Sequence, residues 1–131
     1  MGYYTDYYFY DILDKETQQS VEETIMPQLK ALAKFLNSAI DPPETFDRTI
    51  IAHRWWEILQ LMDENYLNAE WYDETANMKE FSTHFPELVF ILCGDGDENG
   101  DVWQSAYSNG RCNTAYVEDP VADTVTFRKD R

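Results

Sequence analysis

Six consecutive apolar residues, Leu88 to Cys93 (LVFILC), constrain the fold of this chain more than any other stretch. A membrane-spanning helix needs about 20 such residues, so the run reads as a strand buried in a protein core. Strand and turn character continues beyond it. GDGDENG is a turn-rich loop, DVWQSAY a second strand, SNG a tight-turn signal and RCNTAYVE a third strand. Asp119 and Pro120 break that strand ahead of a last extended piece, TVTF.

Upstream the periodicity is helical. Val21, Ile25, Leu29, Leu32, Leu36 and Ile40 recur at spacings of three and four, one apolar stripe within 14–40. Ser20 with Glu23 predicts a capping box, and Pro27 predicts either a helix start or a kink. Residues 3–12 are aromatic-rich and predict an extended strand. After the break at DPPET, Asp47 is a good N-cap for a second helix running to Tyr66, with Ile51, Trp55, Leu59, Met62 and Tyr66 on one face. A short extended piece is expected at 69–72. Asp73 then caps a third helix through Met78 and Phe81, stopped at Phe85 and Pro86. This order predicts a single α+β domain over 1–131, a sheet with helices packed on one face.

Charge is the unusual quantity. The chain has 131 residues and 25 Asp plus Glu against 10 Lys plus Arg, a formal net charge of −15. Small domains are comfortable at roughly 2–8, and self-repulsion on this scale opposes compaction. Hydrophobic residues at 44% and aromatics at 15% nevertheless supply a core, so this is not a disordered acidic tail. The charge is also localised. Residues 41–101 carry fifteen acids and three bases, whereas 1–40 carry six and three, and 102–131 carry four of each. Direct binding to nucleic acid or to an anionic membrane is disfavoured, because both need neutralising Lys and Arg. A basic protein surface or a metal cation is the natural partner. MGYYTDYYFYD has neither the basic nor the apolar region of a signal peptide, so a cytoplasmic location is expected. Cys93 and Cys112 then read as free thiols unless their strands are neighbours.

No catalytic signature emerges. There is no Gly-x-Ser-x-Gly elbow, His and Cys are not paired at zinc-ligand spacing, and Cys93 sits in an apolar strand where a thiol is usually inert. The loop from Asp95 to Asp101 begins like a calcium loop, with Asp95, Asp97 and Asn99 at its first, third and fifth positions and Asp101 next to the apolar Val102. The twelfth position is Ala106 instead of a bidentate Glu, and the flanks read as strands. An acidic hairpin loop is therefore the plainer reading and calcium the alternative. Trp55 and Trp56 lie about 100° apart on a helix, so one of them must leave the apolar stripe. An exposed aromatic in an acidic region marks a protein-binding patch.

The opening MGYYT, and the stretch WYDETANMKEFSTHFPELVFILCGDGDENGDVWQSAYSNG, resemble small uncharacterised phage and mobile-element proteins. Residues 1–5 and 71–110 carry the resemblance, about a third of the chain. It implies a ferredoxin-like antiparallel sheet, with the helix around 48–66, and 41–68 as a whole, an addition to the usual layout. It transfers no activity. Combined with the charge, it implies a phage-encoded acidic protein in the bacterial cytoplasm. Such a protein engages a basic host protein, a defence or nucleic-acid-binding factor, and inhibits it by mimicking DNA. Asp41, Glu44, Asp47, Trp56, Asp63, Glu64, Glu70, Asp73, Glu74 and Glu80 would form the contact surface. No cofactor is expected in that reading, and calcium at Asp95, Asp97, Asn99 and Asp101 is expected in the alternative.

Overall fold

A computed structural model describes residues 4–36, 56–96 and 102–116. In chain order these form β1 (Thr5–Asp14), α1 (Glu22–Leu36), α2 (Trp56–Glu64), β2 (Leu67–Ala69), α3 (Glu74–Ser82), β3 (Leu88–Gly96), β4 (Val102–Ser108) and β5 (Arg111–Tyr116). The strands make one five-stranded sheet in the order β2-β1-β3-β4-β5, with every pair antiparallel. The α+β class and the helices gathered on one face of an antiparallel sheet agree with the sequence reading. Among the described residues, no helix is long and apolar enough to cross a membrane.

The apolar run Leu88 to Cys93 lies in β3, paired with β1 throughout and with β4 from Phe90 onward. Alternate residues of a strand point to opposite faces, so Leu88, Phe90 and Leu92 face the helices while Val89 and Ile91 face away. The helix-side core joins Tyr7, Phe9 and Ile12 of β1 to Leu29 and Ala33 of α1, to Ile58, Leu61 and Met62 of α2, and to Met78 and Phe81 of α3. Phe9, Phe81, Phe85 and Phe90 form a chain of ring contacts with centroids 5.1–5.8 Å apart. A smaller cluster of Val89, Ile91 and Ala106, with Tyr10 and Leu13 against it, covers the opposite face.

Several local expectations are refined. Pro27 lies inside α1, which runs on through it. Its side is solvent-exposed, as is that of Glu23 one turn back, so the carbonyl left without a partner can take water. The capping box does not form: the Ser20 hydroxyl donates to Asp11 at 2.6 Å and stands only 3.5 Å from the Glu22 N–H. Helix α2 is rotated from the expected face, burying Ile58, Leu61 and Met62 and leaving Tyr66 exposed. The second strand starts at Leu67, earlier than expected. The Asp47 onset and the TVTF strand lie outside the described residues. Asn109 and Gly110 adopt φ of 46° and 84°, the left-handed pair of a two-residue hairpin turn. The Gly110 N–H donates to the Ser82 hydroxyl at 2.8 Å, tying this turn to the end of α3.

The outer edge of β1 is covered in three ways. Thr5 to Tyr7 pair with Ala69 to Leu67. The same register, continued by two residues, sets Phe9 against Asn65. There the chain is still leaving α2, with Asn65 at a left-handed φ of 53°. Its side-chain amide stands in for a strand: the Phe9 N–H donates to Asn65 Oδ1 at 2.7 Å, and Asn65 Nδ2 donates to the Phe9 carbonyl at 3.3 Å. Beyond a bulge between Phe9 and Asp11, the Val21 N–H donates to the Ile12 carbonyl and the Asp14 N–H to the Gln19 carbonyl, each at 2.8 Å. Replacing Asn65→Ala removes two part-buried hydrogen bonds and an αL-tolerant residue. A loss of about 2–3 kcal/mol is expected in denaturant unfolding, with Asn65→Gly recovering only the smaller, backbone share.

Candidate functional site

Two polar arrangements stand out, one on the surface and one under α3. The surface one is built on the β2–β1 edge. Asp6 and Asn68 are paired across the two strands, and the Asn68 amide donates to Asp6 Oδ1 at 2.8 Å. The Tyr66 hydroxyl donates to the same oxygen at 2.6 Å. These two hydrogen bonds, Tyr66 first, hold the Asp6 carboxyl below its usual range and keep it ionised. Tyr4 and Glu70 flank the Thr5–Ala69 end of that pairing, and the Tyr72 hydroxyl donates to Glu70 Oε2 at 2.9 Å. Tyr4, Tyr66 and Tyr72 are 51%, 50% and 81% exposed, so the edge presents tyrosines and carboxylates together.

The second arrangement starts where β4 meets β5. Ser105 and Thr114 are cross-strand partners with hydroxyls 2.6 Å apart. Ser105 and Tyr107, two residues apart in β4, lie on the same face of the sheet. Tyr107 in turn donates to Oε2 of Glu74, the first residue of α3. Thr75 adds a long contact to Oε1 at 3.4 Å. Tyr107 is fully buried and Glu74 is only 8% exposed. Burial is the dominant influence on Glu74; it outweighs the Tyr107 and Thr75 hydrogen bonds and lifts the carboxyl from an ordinary 4.5 to about 7.

A cavity of about 140 Å³ opens beside this carboxyl, lined by Glu74, Thr75, Trp103, Ser105 and Thr114. Trp103 lies flat over Gly94, where a Cβ would come within 2.3 Å of its ring. Tyr7 makes T-shaped contacts with both Trp103 and Trp71, with ring centroids 5.9 and 5.3 Å apart. Gly94 thus lets the indole lie down as a wall of the cavity.

The residues expected to form an acidic contact surface divide sharply. Asp41, Glu44 and Asp47 lie outside the described residues. Trp56 is 58% exposed at the start of α2. Asp63 is half-buried and Glu64 exposed in the last turn of α2, which has no basic residue to complement the helix dipole. Glu70 joins the tyrosine edge, while Asp73 and Glu80 are exposed. Glu74 is corrected: its side chain turns inward to Tyr107, so it cannot contribute to a surface field. Asp73, in the N-cap position of α3, makes no side-chain capping bond. Asp95 is exposed at the end of β3, and Asp97, Asn99 and Asp101 lie outside the described residues. Among the described residues, no three His, Cys, Asp or Glu side chains group as metal ligands. Cys93 and Cys112 are free, carried by β3 and β5 with β4 between them, and Cys112 faces the helix side, opposite to Cys93.

Sequence reasoning missed Asp6, Tyr66, Ser105, Tyr107 and Thr114. Asp6 left a trace, a lone acid inside an aromatic strand segment. The hydroxyls left none.

Two outcomes follow. The folded chain binds the Glu74 proton more tightly than the unfolded chain. The associated stability is therefore complete below pH 4.5 and is lost as pH rises toward about 7. Glu74→Gln should remove that slope and exceed the parent at pH 8 by on the order of 3 kcal/mol at most, measured by urea unfolding across pH. Gly94→Ala should displace the Trp103 ring and cost about 1–3 kcal/mol, seen as a shifted Trp103 indole resonance. Set against known proteins, the chain matches no family model, no curated protein and no solved structure.

Proposed function

We propose that this chain is a non-catalytic binding protein whose acidic, tyrosine-rich sheet edge engages a basic surface of another protein. One observation carries the reading: Tyr4, Tyr66 and Tyr72 stand exposed around Asp6 and Glu70, with the hydroxyls of Tyr66 and Tyr72 bonded to those carboxylates. Tyrosines supply large contact area at small conformational cost and are enriched where binding energy concentrates. The carboxylates beside them select for Lys and Arg on the partner.

Asp63 and Glu64 extend the same field from the end of α2, immediately before Asn65 and Tyr66. Negative charge there is unfavourable to the helix itself, so its benefit lies outside the helix. Trp56 offers a further exposed aromatic on α2. The net charge of −15 would steer a cationic partner from a distance.

The resemblance to phage proteins narrows the partner class to a basic host protein that itself binds nucleic acid, a defence factor among them. The carboxylates would then lie where phosphates otherwise do, and binding would inhibit the host protein. Neither nucleic acid nor a membrane is a direct partner in this reading, and the setting is the bacterial cytoplasm.

Affinity capture from bacterial lysate is the test. At about 0.05 M salt the immobilised chain should retain basic proteins that duplex DNA displaces and that elute by about 0.5 M salt. A Tyr66→Ala, Tyr72→Ala pair should retain less than about a tenth as much, since hot-spot truncations cost 2 kcal/mol or more each. Recovery only of partners indifferent to both salt and DNA would sink the proposal.

A further inference from the structure

The cavity beside Glu74 is separate from the tyrosine edge, and its chemistry is specific. A buried carboxylate is expensive to ionise unless a cation or several donors compensate it. Glu74 receives one firm hydrogen bond, from Tyr107, and one long one, from Thr75. A carboxylate has about four lone-pair sites, so acceptor capacity and most of the charge remain unspent. Among the described residues, none of the hydrogen bonds or charge influences on Glu74 comes from a cation.

The other walls suit a cation with a short apolar stem. Ser105 and Thr114 share one hydrogen bond between their hydroxyls, which leaves lone pairs on both oxygens to accept from a guest. Trp103 supplies an aromatic surface, attractive both to a positive charge and to methylenes. Size agrees as well. A cavity of about 140 Å³ is close to the roughly 150 Å³ space known to hold one benzene molecule. An ammonium group on a four-carbon chain is of that scale. An anion would meet the carboxylate head-on, and a hard metal ion would want more oxygen ligands than this cavity offers.

We propose that the pocket formed by Glu74, Thr75, Trp103, Ser105 and Thr114 binds a small primary ammonium group. Glu74 takes the charge, the Ser105 and Thr114 oxygens accept the remaining N–H bonds, and Trp103 covers the stem. Tyr107 is a positioning residue, holding the carboxylate from behind. The proposal stands without the binding reading of the sheet edge, because the two use different residues.

The test is an amide and indole NMR titration of the intact chain with n-butylammonium at pH 8, with 1-butanol as the neutral analogue. Butylammonium should bind saturably with Kd near the millimolar range, as expected for so small a ligand, moving the Trp103 indole and the Ser105 and Thr114 amides. Glu74→Gln, which keeps the Tyr107 hydrogen bond, should weaken it at least tenfold, and Thr114→Val, at the cavity mouth, about threefold. The amide spectrum of each variant reports that it is folded. Nα-acetyl-lysine amide then separates the sources. Binding as tight as butylammonium assigns the group to a lysine side chain of another protein, and binding more than tenfold weaker assigns it to a free amine. The proposal is overturned if 1-butanol binds as well as butylammonium, if folded Glu74→Gln and Thr114→Val bind as the parent does, or if the parent shows no saturable shift.

Discussion

Strand β1 must satisfy its backbone on both sides while having, among the described residues, only one full-length strand neighbour. That requirement organises much of the molecule. On one side β3 runs the whole length of β1. On the other, the three-residue β2 covers only the beginning. The Asn65 amide then occupies the next ladder position, and the segment entering α1 takes the rest. Each substitute also fixes an element: Asn65 anchors the end of α2, and Gln19 to Val21 set the start of α1. Helix placement and sheet-edge satisfaction are therefore one problem with one solution.

The helices, once placed, leave a consequence at the other side of the core. α3 begins directly over β4, so its first residue points down between Tyr107 and Trp103. An acid at a helix N-terminus is ordinarily a favourable surface residue. Here it lies against a fully buried phenol, and its proton affinity reports on how well that corner of the core is closed.

How much of this could be read beforehand depended on whether the signal was local. The strand at Leu88 to Cys93, the stripe from Val21 to Leu36 and the turn at Asn109 and Gly110 rest on periodicity and turn chemistry within a few residues, and they were legible. The face of α2 was not. Ile58, Leu61 and Met62 are as regular a stripe as Leu59, Met62 and Tyr66, and only packing against α1 and β1 chooses between them. Asn65 read as an ordinary helix-to-strand connection, because its role depends on Phe9, 56 positions away. Asp73 and Glu74 carry the same sequence signal, yet one is exposed and the other buried, and the difference is Tyr107, 33 positions later. The tyrosine edge was hidden for a related reason. Tyr4, Tyr66 and Tyr72 meet only after β1 and β2 pair.

The pairing of β1 with β3 also has a meaning in time. It joins residues 5–14 to residues 88–96, so a strand made early is held by one made later. During synthesis at about 5–20 residues per second, β1 would wait several seconds or longer for its partner. Through that interval an aromatic-rich segment is without its ladder, and closing so long a loop slows the search as well. The acids interspersed in it, Asp6, Asp11 and Asp14, would keep nascent chains from pairing with one another during that wait.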